Sequence, residues 1–248
     1  MHAALLSSRI LLGSKQRSRL IPLLNTMVQH HPSALRNRPH ILKELKCFLS
    51  SDELASGYAL EVASGTGAHL EVLAPAFPNM TFQPSEYIAD DATADVGKIG
   101  SREGAEELVA INSVGKQFPN ILPAIGLDAS LPFSSWSISD RKGTATLVYC
   151  SNVFHITDWK VGKGILAGAG QLLKRGGRFV VYGPFKIDGE FTTESNAAFH
   201  ESLQARNPNW GYRDVDADVA AEAERHGLKL REKKSMPANN LMLVFEKV

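Results

Sequence analysis

Residues 59–70 read Ala-Leu-Glu-Val-Ala-Ser-Gly-Thr-Gly-Ala-His-Leu: an apolar strand carrying Glu61, a tight Ser64-Gly65-Thr66-Gly67 turn, and the start of a helix. Gly65 and Gly67 admit positive φ and let a ligand approach the backbone, and a helix N-terminus beyond them presents free N–H groups to polar or anionic atoms. Such a turn cradles nucleotide-type ligands. A dinucleotide fingerprint needs a third glycine three residues after the second, where this chain has Leu70. Glu61 separates the alternatives further, because a carboxylate there repels a pyrophosphate and attracts a ligand with an ammonium group. S-adenosylmethionine (SAM) carries that ammonium and a nicotinamide dinucleotide does not. Glu61, Ala63, Gly65 and Gly67 are therefore expected to hold SAM; the plainer alternative is an ordinary Gly-containing strand-to-helix turn.

Two more acids fall where the same ligand would need them. Glu86 follows the apolar run 80–85 and is placed to accept hydrogen bonds from two ribose hydroxyls, while Asp128 follows the run 121–127 and can accept one from an adenine amino group. Methyl transfer from SAM is an in-line displacement at a sulfonium, so the protein mainly orients the reactants. Asn152 and His155 emerge just past the β-branched run 144–150. Asn152 suits the methionine end of the cofactor or an acceptor, and His155 suits removal of a proton from an acceptor hydroxyl or ammonium. Against that, a lone histidine beside apolar Phe154 and Ile156 is more often a satisfied structural one. Further along, Tyr182, Phe185, Asn196, Trp210 and Arg213 mix aromatic surface with hydrogen-bonding groups and read as an acceptor wall, with Tyr182 close enough in sequence to the strand end to join His155 and Asn152 in catalysis. Phe199 reads as core. Asn239 is a further candidate, since a tight turn explains one asparagine in Met236-Pro-Ala-Asn-Asn240 but not the whole word.

The elements that must position these residues follow from periodicity. Helical spacing of Leu35, Ile41, Leu42, Leu45, Phe48 and Leu49 predicts a helix over 33–49, interrupted at Pro39. Strands are predicted at 58–63, 80–85, 121–127, 144–150 and 178–182, with helices from Thr66 to Pro75, within 90–117, and over 161–173, the last capped by Gly176. The Ser-rich stretch 130–143 reads as irregular surface. Helical patterns over 194–205 and 216–227 precede a strand pair at 228–234 and 241–247. This alternation predicts an α/β sheet, parallel except for an antiparallel edge from the C-terminal pair. In such a sheet Gly65/Gly67, Glu86 and Asp128 share the rim where ligands bind.

The chain has 248 residues, 44% hydrophobic and 21% charged, enough for one domain over 33–248. Residues 1–43 contain seven Lys/Arg and no acid, which leaves 20 basic against 26 acidic residues in 44–248. The body is mildly acidic, which argues against nucleic acid as a partner. Cys47 and Cys150 suggest neither a disulfide framework nor a zinc site, so no metal is expected, and no apolar run is long enough to span a bilayer. The basic extension 1–32, with Met27 as an internal start, reads either as a mitochondrial presequence or as a tail of a cytoplasmic protein.

Seven words, Glu61-Val-Ala-Ser-Gly-Thr-Gly67, Gln83-Pro-Ser-Glu86, Ser151-Asn-Val-Phe-His-Ile156, Tyr182-Gly-Pro-Phe185, Ser195-Asn-Ala-Ala-Phe199, Asn207-Pro-Asn-Trp-Gly211 and Met236-Pro-Ala-Asn-Asn240, resemble the methyltransferase-like protein 26 family. The resemblance runs from about Ser33 to the C-terminus. It implies a Rossmann-like class I methyltransferase fold, SAM as cofactor and an unidentified, small-molecule acceptor. A short Arg36-Asn37 match implies that the N-terminal helix folds over the cofactor and that Asn37 contacts it. Two other readings stand beside a methyltransferase: a SAM-binding module that acts through a partner, and a nicotinamide-dependent oxidoreductase.

Overall fold

The computed structural model describes residues 28–88 and 103–248; the presequence-like segment 1–19, Met27 and part of the helical stretch 90–117 lie outside them. Seven strands form one sheet: β1 (Gly57–Val62), β2 (Met80–Glu86), β3 (Ile125–Gly126), β4 (Ala145–Ser151), β5 (Leu173–Gly183), β8 (Leu228–Met236) and β9 (Asn240–Lys247). A separate pair, β6 (Lys186–Ile187) and β7 (Glu190–Phe191), has no counterpart in the sequence reading. The sheet order is β3-β2-β1-β4-β5-β9-β8, and β9 alone runs antiparallel to its neighbours. The predicted α/β sheet with an antiparallel edge is thus the observed one. All seven positions of β4 and five of six in β1 are buried or nearly so, because helices cover both faces of a parallel centre.

One face packs against α1 (Pro32–Phe48), α2 (Leu70–Ala76) and α3 (Glu103–Gly115), through Ile41, Leu45, Leu70, Leu73, Ile111 and Val114. The opposite face packs against α4 (Trp159–Leu172) and against a π-helical turn, Val215–Ala220, that leads into α6 (Ala221–Glu224). Between β1 and β4 the chain reverses its direction of travel across the sheet, so the loops after these strands diverge and leave a crevice at their carboxyl ends.

Several boundaries differ from the sequence reading. Helix α1 runs through Pro39, which sits on an exposed face where the carbonyl it leaves unpaired can turn to water. Residues 66–69 form turns, and α2 begins at Leu70. Strand β3 shrinks to two residues plus an isolated Phe82–Ile121 bridge, since Pro123 supplies no donor to a ladder. Gly176 has φ +78° but does not cap α4: the helix stops at Leu172, and residues 174–177 bulge between Leu173, opposite Ala145, and Arg178, opposite Leu147. The helix read over 216–227 is a π-turn and one α-turn. The stretch 130–143 is not irregular surface, because Phe133, Trp136 and Ile138 are buried under two 3-10 turns.

Close neighbours explain two of the glycines of α4. A Cβ at Gly168 would lie 2.1 Å from the Trp136 ring, and one at Gly164 would lie 1.7 Å from the Ala129 carbonyl oxygen. Each glycine costs the helix about 1 kcal/mol of propensity, and in return α4 presses against the loop that carries Asp128. Gly164→Ala is therefore expected to destabilise the protein by about 1–3 kcal/mol in denaturant unfolding, since a backbone oxygen must be displaced. An unchanged or raised midpoint would contradict this packing.

Candidate functional site

The rim of the crevice is built by the turn after β1. Ala63, Gly65 and Gly67 have φ of 56°, 56° and 83°, so a non-glycine residue holds a left-handed conformation beside two glycines. Hydrogen bonds fix the turn: Ser64 N donates to Ser85 O (2.8 Å), Ser85 Oγ to Glu61 O (2.8 Å), and Gly67 N to Ser64 O (2.9 Å). The two glycines do different work. A Cβ at Gly65 would meet nothing within 4 Å, whereas one at Gly67 would touch Val114 at 3.4 Å and the Ile111 backbone at 3.5 Å. Gly65 faces open space, while Gly67 lies at ordinary contact distance from α3 and is required by its φ of 83° rather than by crowding.

Glu86, at the end of β2, accepts hydrogen bonds from Gly65 N (2.8 Å) and Tyr87 N (3.0 Å), one at each carboxylate oxygen. Each oxygen keeps capacity for a second donor. Burial raises its pKa above the usual carboxylate value; the Tyr87 and Gly65 N–H groups oppose the shift and the charge of Glu61 adds to it. Asp128, half-buried in the loop after β3, accepts from Ser130 N at 2.8 Å.

Beneath the turn lies a group of buried polar atoms. Glu61 is 2% exposed; its Oε1 is 3.2 Å from Nδ1 of the buried His69, and its Oε2 has no partner among the described residues. His69 Nε2, Tyr149 Oη and Ser151 Oγ are likewise buried without a well-formed hydrogen bond, and the His69 ring stands edge-on to Tyr149 at 5.6 Å. Burial lifts Tyr149 well above the ordinary phenol value, with the Glu61 charge next in size. Buried polar side chains are almost always satisfied, so four open ones in one interior mark a place that a polar ligand or water completes.

The chain before and within α1 closes over this turn. His30 Nδ1 is 2.8 Å from Thr66 Oγ1, and its Nε2 makes a charge contact with Glu71 at 3.1 Å. Arg38 bonds Glu71 at 2.8 Å and the Ala68 carbonyl at 3.4 Å. Burial pushes Glu71 up, yet His30 and Arg38 together hold it below the usual carboxylate value. Asn37 lies buried on the same helix face as Ile41 and Leu45.

Past β4, Asn152 takes φ 59° and donates its N–H to Tyr182 O at 2.8 Å. A Cβ at Gly183 would be 3.6 Å from His155 Nδ1 and 3.8 Å from Asn152 Oδ1, so these two side chains converge on that glycine. His155 is 6% exposed, and its pKa is lowered from 6.5 to about 4 by burial and then by the charge of Arg213. The imidazole is neutral at pH 7. Tyr182 lies on the α1 side of the sheet, its hydroxyl accepting from Asn240 Nδ2 at 3.0 Å.

Other expected wall residues are tied into the scaffold. Phe185 is 1% exposed and packs edge-on against Phe154 in the core, which corrects its placement on an open wall. Asn196 donates to Thr192 Oγ1 and to Asn239 O, and Asn239 Nδ2 reaches Ser195 Oγ at 3.4 Å, so these two asparagines join the start of α5 (Glu194–Arg206) to the β8–β9 turn. Arg213 clamps Thr157 O and Asn209 O and lies 5.4 Å from the Trp159 ring, with half-buried Trp210 in the same loop. Phe199, expected in the core, is 40% exposed. His69, Tyr149 and His30 carry no signal in the sequence that pairs them with the turn; Tyr149 shares the hydroxyl-bearing positions of the 145–150 run with Thr146.

Residues 28–247 match the family described as protein of unknown function (DUF938). The chain belongs to that family. Its fold is that of class I O-methyltransferases. An O-methyltransferase family 2 protein from Planctomyces limnophilus, solved with apigenin, superposes with a TM-score of 0.62 at 14% identity, covering 90% of this chain and 63% of that one. An O-methyltransferase family protein from Burkholderia thailandensis gives 0.60 at 14% identity, covering 85% and 58%, and PigF with S-adenosylhomocysteine (SAH) gives 0.57 at 14%, covering 85% and 57%. The DUF938 chain thus spans less than two thirds of the length of each. Among its described residues no three His, Cys, Asp or Glu side chains converge to hold a metal ion, and no helix is long and apolar enough to cross a membrane.

His155 supplies a pH prediction. The unfolded chain takes up this proton near pH 6.5 and the folded one resists it down to about 4, so stability falls as pH drops through that window and is unaffected above it. The loss approaches about 3 kcal/mol, and His155→Leu is expected to flatten it in urea titrations between pH 7 and 4. An identical acid limb in wild type and variant would show that His155 does not titrate this way.

Proposed function

We propose that the protein binds SAM in the crevice after β1 and transfers its methyl group to a small-molecule acceptor. One observation carries the reading: Glu61, four residues before Gly65 in the same strand-and-turn unit, keeps a buried carboxylate oxygen, Oε2, that no described residue satisfies, and the space at Gly65 is open. The residues present fit the cofactor. Glu61 suits its ammonium, the second lone pairs of Glu86 suit ribose hydroxyls, Asp128 suits the adenine amino group, and Ala63, Gly65 and Gly67 form the turn proposed to hold it, with Asn37 of α1 proposed as a further contact. The fold likeness to O-methyltransferases supports this reading, as does the methyltransferase-like protein 26 resemblance, whose span coincides with the DUF938 match.

When bound, SAM supplies an electrophilic methyl on a sulfonium. The protein's part is orientation and a proton. Asn152 and His155, converging at Gly183, define the acceptor side, where neutral His155 can take a hydroxyl proton and Asn152 can hold the acceptor or the methionine end. The Tyr182 hydroxyl, already accepting from Asn240, keeps its own proton to donate.

Calorimetry with SAM and SAH tests the site. Gly65→Val is expected to abolish binding by filling the open space, and Glu86→Ala to weaken it by ~1–3 kcal/mol. Unchanged affinity in both variants would remove the cofactor from this crevice. Labelled SAM incubated with a cell extract is expected to yield labelled small molecules; binding without any transfer would favour a SAM-binding module instead.

A further inference from the structure

An aromatic cluster outside the cofactor crevice touches His155. On α5, Leu203 is buried and anchors the helix, yet one turn before it Phe199 leaves 40% of its surface in water. Its ring lies 6.0 Å from the His155 ring and 6.2 Å from the Tyr212 ring. Tyr212 in turn stands 6.2 Å from His155 and is braced by Phe191 at 5.8 Å and His200 at 6.0 Å. Tyr212 is buried, and its backbone N–H is tied to His200 Nδ1 at 3.0 Å. A rigid aromatic wall therefore ends in one partly exposed ring beside an imidazole, and neither nitrogen of that imidazole bonds any described residue.

The imidazole is buried, has its pKa lowered to about 4, and sits within contact distance of the position a Gly183 side chain would take. A neutral imidazole takes the proton of a phenol, which ionises at about 10, more readily than that of the far less acidic aliphatic alcohols. Aromatic rings also favour an offset or edge-on partner over the same area of aliphatic surface.

We propose that Phe199, backed by Tyr212, is the stacking surface for a planar aromatic acceptor whose hydroxyl lies against His155, so that the methyl acceptor is a phenol-type small molecule. This rests on the SAM reading and names the acceptor of that site. The reaction balances: the phenol oxygen forms a bond to the methyl carbon as the carbon–sulfur bond breaks, the bonding pair returns to sulfur as a neutral thioether, and the hydroxyl proton passes to His155 and then to water. The acceptor leaves as its methyl ether.

The test uses the full chain with catechol, 7-hydroxy-4-methylcoumarin and apigenin as probes, titrated in the presence and absence of saturating SAH, with cyclohexanol as the aliphatic control. At least one phenol is expected to bind, and Phe199→Ala to weaken it about tenfold while SAH affinity stays within twofold. Phe199→Trp should restore it. SAH binding with no phenol bound, phenol affinity equal in Phe199→Ala, or cyclohexanol bound as tightly as the phenols would each overturn the proposal. Absence of SAH binding would instead overturn the cofactor reading, and a protein that loses self-association rather than phenol binding in Phe199→Ala would show the exposed ring to be a contact between copies.

Discussion

A carboxylate with an unsatisfied oxygen inside a central strand is expensive, because desolvation is not repaid unless a partner is supplied. Glu61 is such a group: its neighbour His69 meets one oxygen, and the other faces the interior under the turn after β1. The surrounding structure is arranged about that fact. Ala63 holds a left-handed conformation over it, Ser85 Oγ and Ser64 Oγ hold its backbone carbonyl, and Tyr149 brings an unpaired hydroxyl close to it. A strand kept for stability alone would carry an apolar residue here, as Leu60 and Val62 do on either side.

Rigidity around this group comes from both faces of the sheet. On one, the segment before α1 is pinned by His30 to Thr66 and Glu71, Arg38 adds a second contact to Glu71, and Glu44 reaches Lys234 of β8 at 3.4 Å. Helix α1 thus bridges the turn after β1 and the antiparallel edge. Partly exposed ion pairs of this sort contribute little each, and their effect is to fix where the helix sits. On the other face, the glycines of α4 bring it against Ala129 and Trp136, which sets the loop carrying Asp128. Arg213 ties the segment past β4 to the 207–213 loop, and its charge adds to the burial that keeps His155 neutral.

The sheet and its rim were legible because they rest on local signals: apolar runs, glycines at a turn, and acids at strand ends. Gly65, Glu86 and Asp128 fall on one rim because parallel strands end on the same side. What was not legible depends on which side chains meet across long sequence distances. Gly67 looks like Gly65 in sequence, yet its neighbour is α3, some forty residues away. Phe199 and Phe185 exchanged expected environments, since helix α5 has no clear apolar stripe and Phe185 follows a strand end where burial is decided by Phe154. The stretch 130–143 looks polar by count, although Phe133, Trp136 and Ile138 bury themselves in 3-10 turns. His69 has no sequence pattern that pairs it with Glu61.

Glu61 is proposed to read the charged amino-acid half of SAM and not its nucleoside half. The direct measurement is the affinity of SAM and of adenosine, side by side, for the wild-type protein and Glu61→Gln, with circular dichroism to confirm equal folding. The account predicts that SAM affinity falls at least tenfold while adenosine affinity is preserved. Equal losses for both ligands, or none for either, would contradict it.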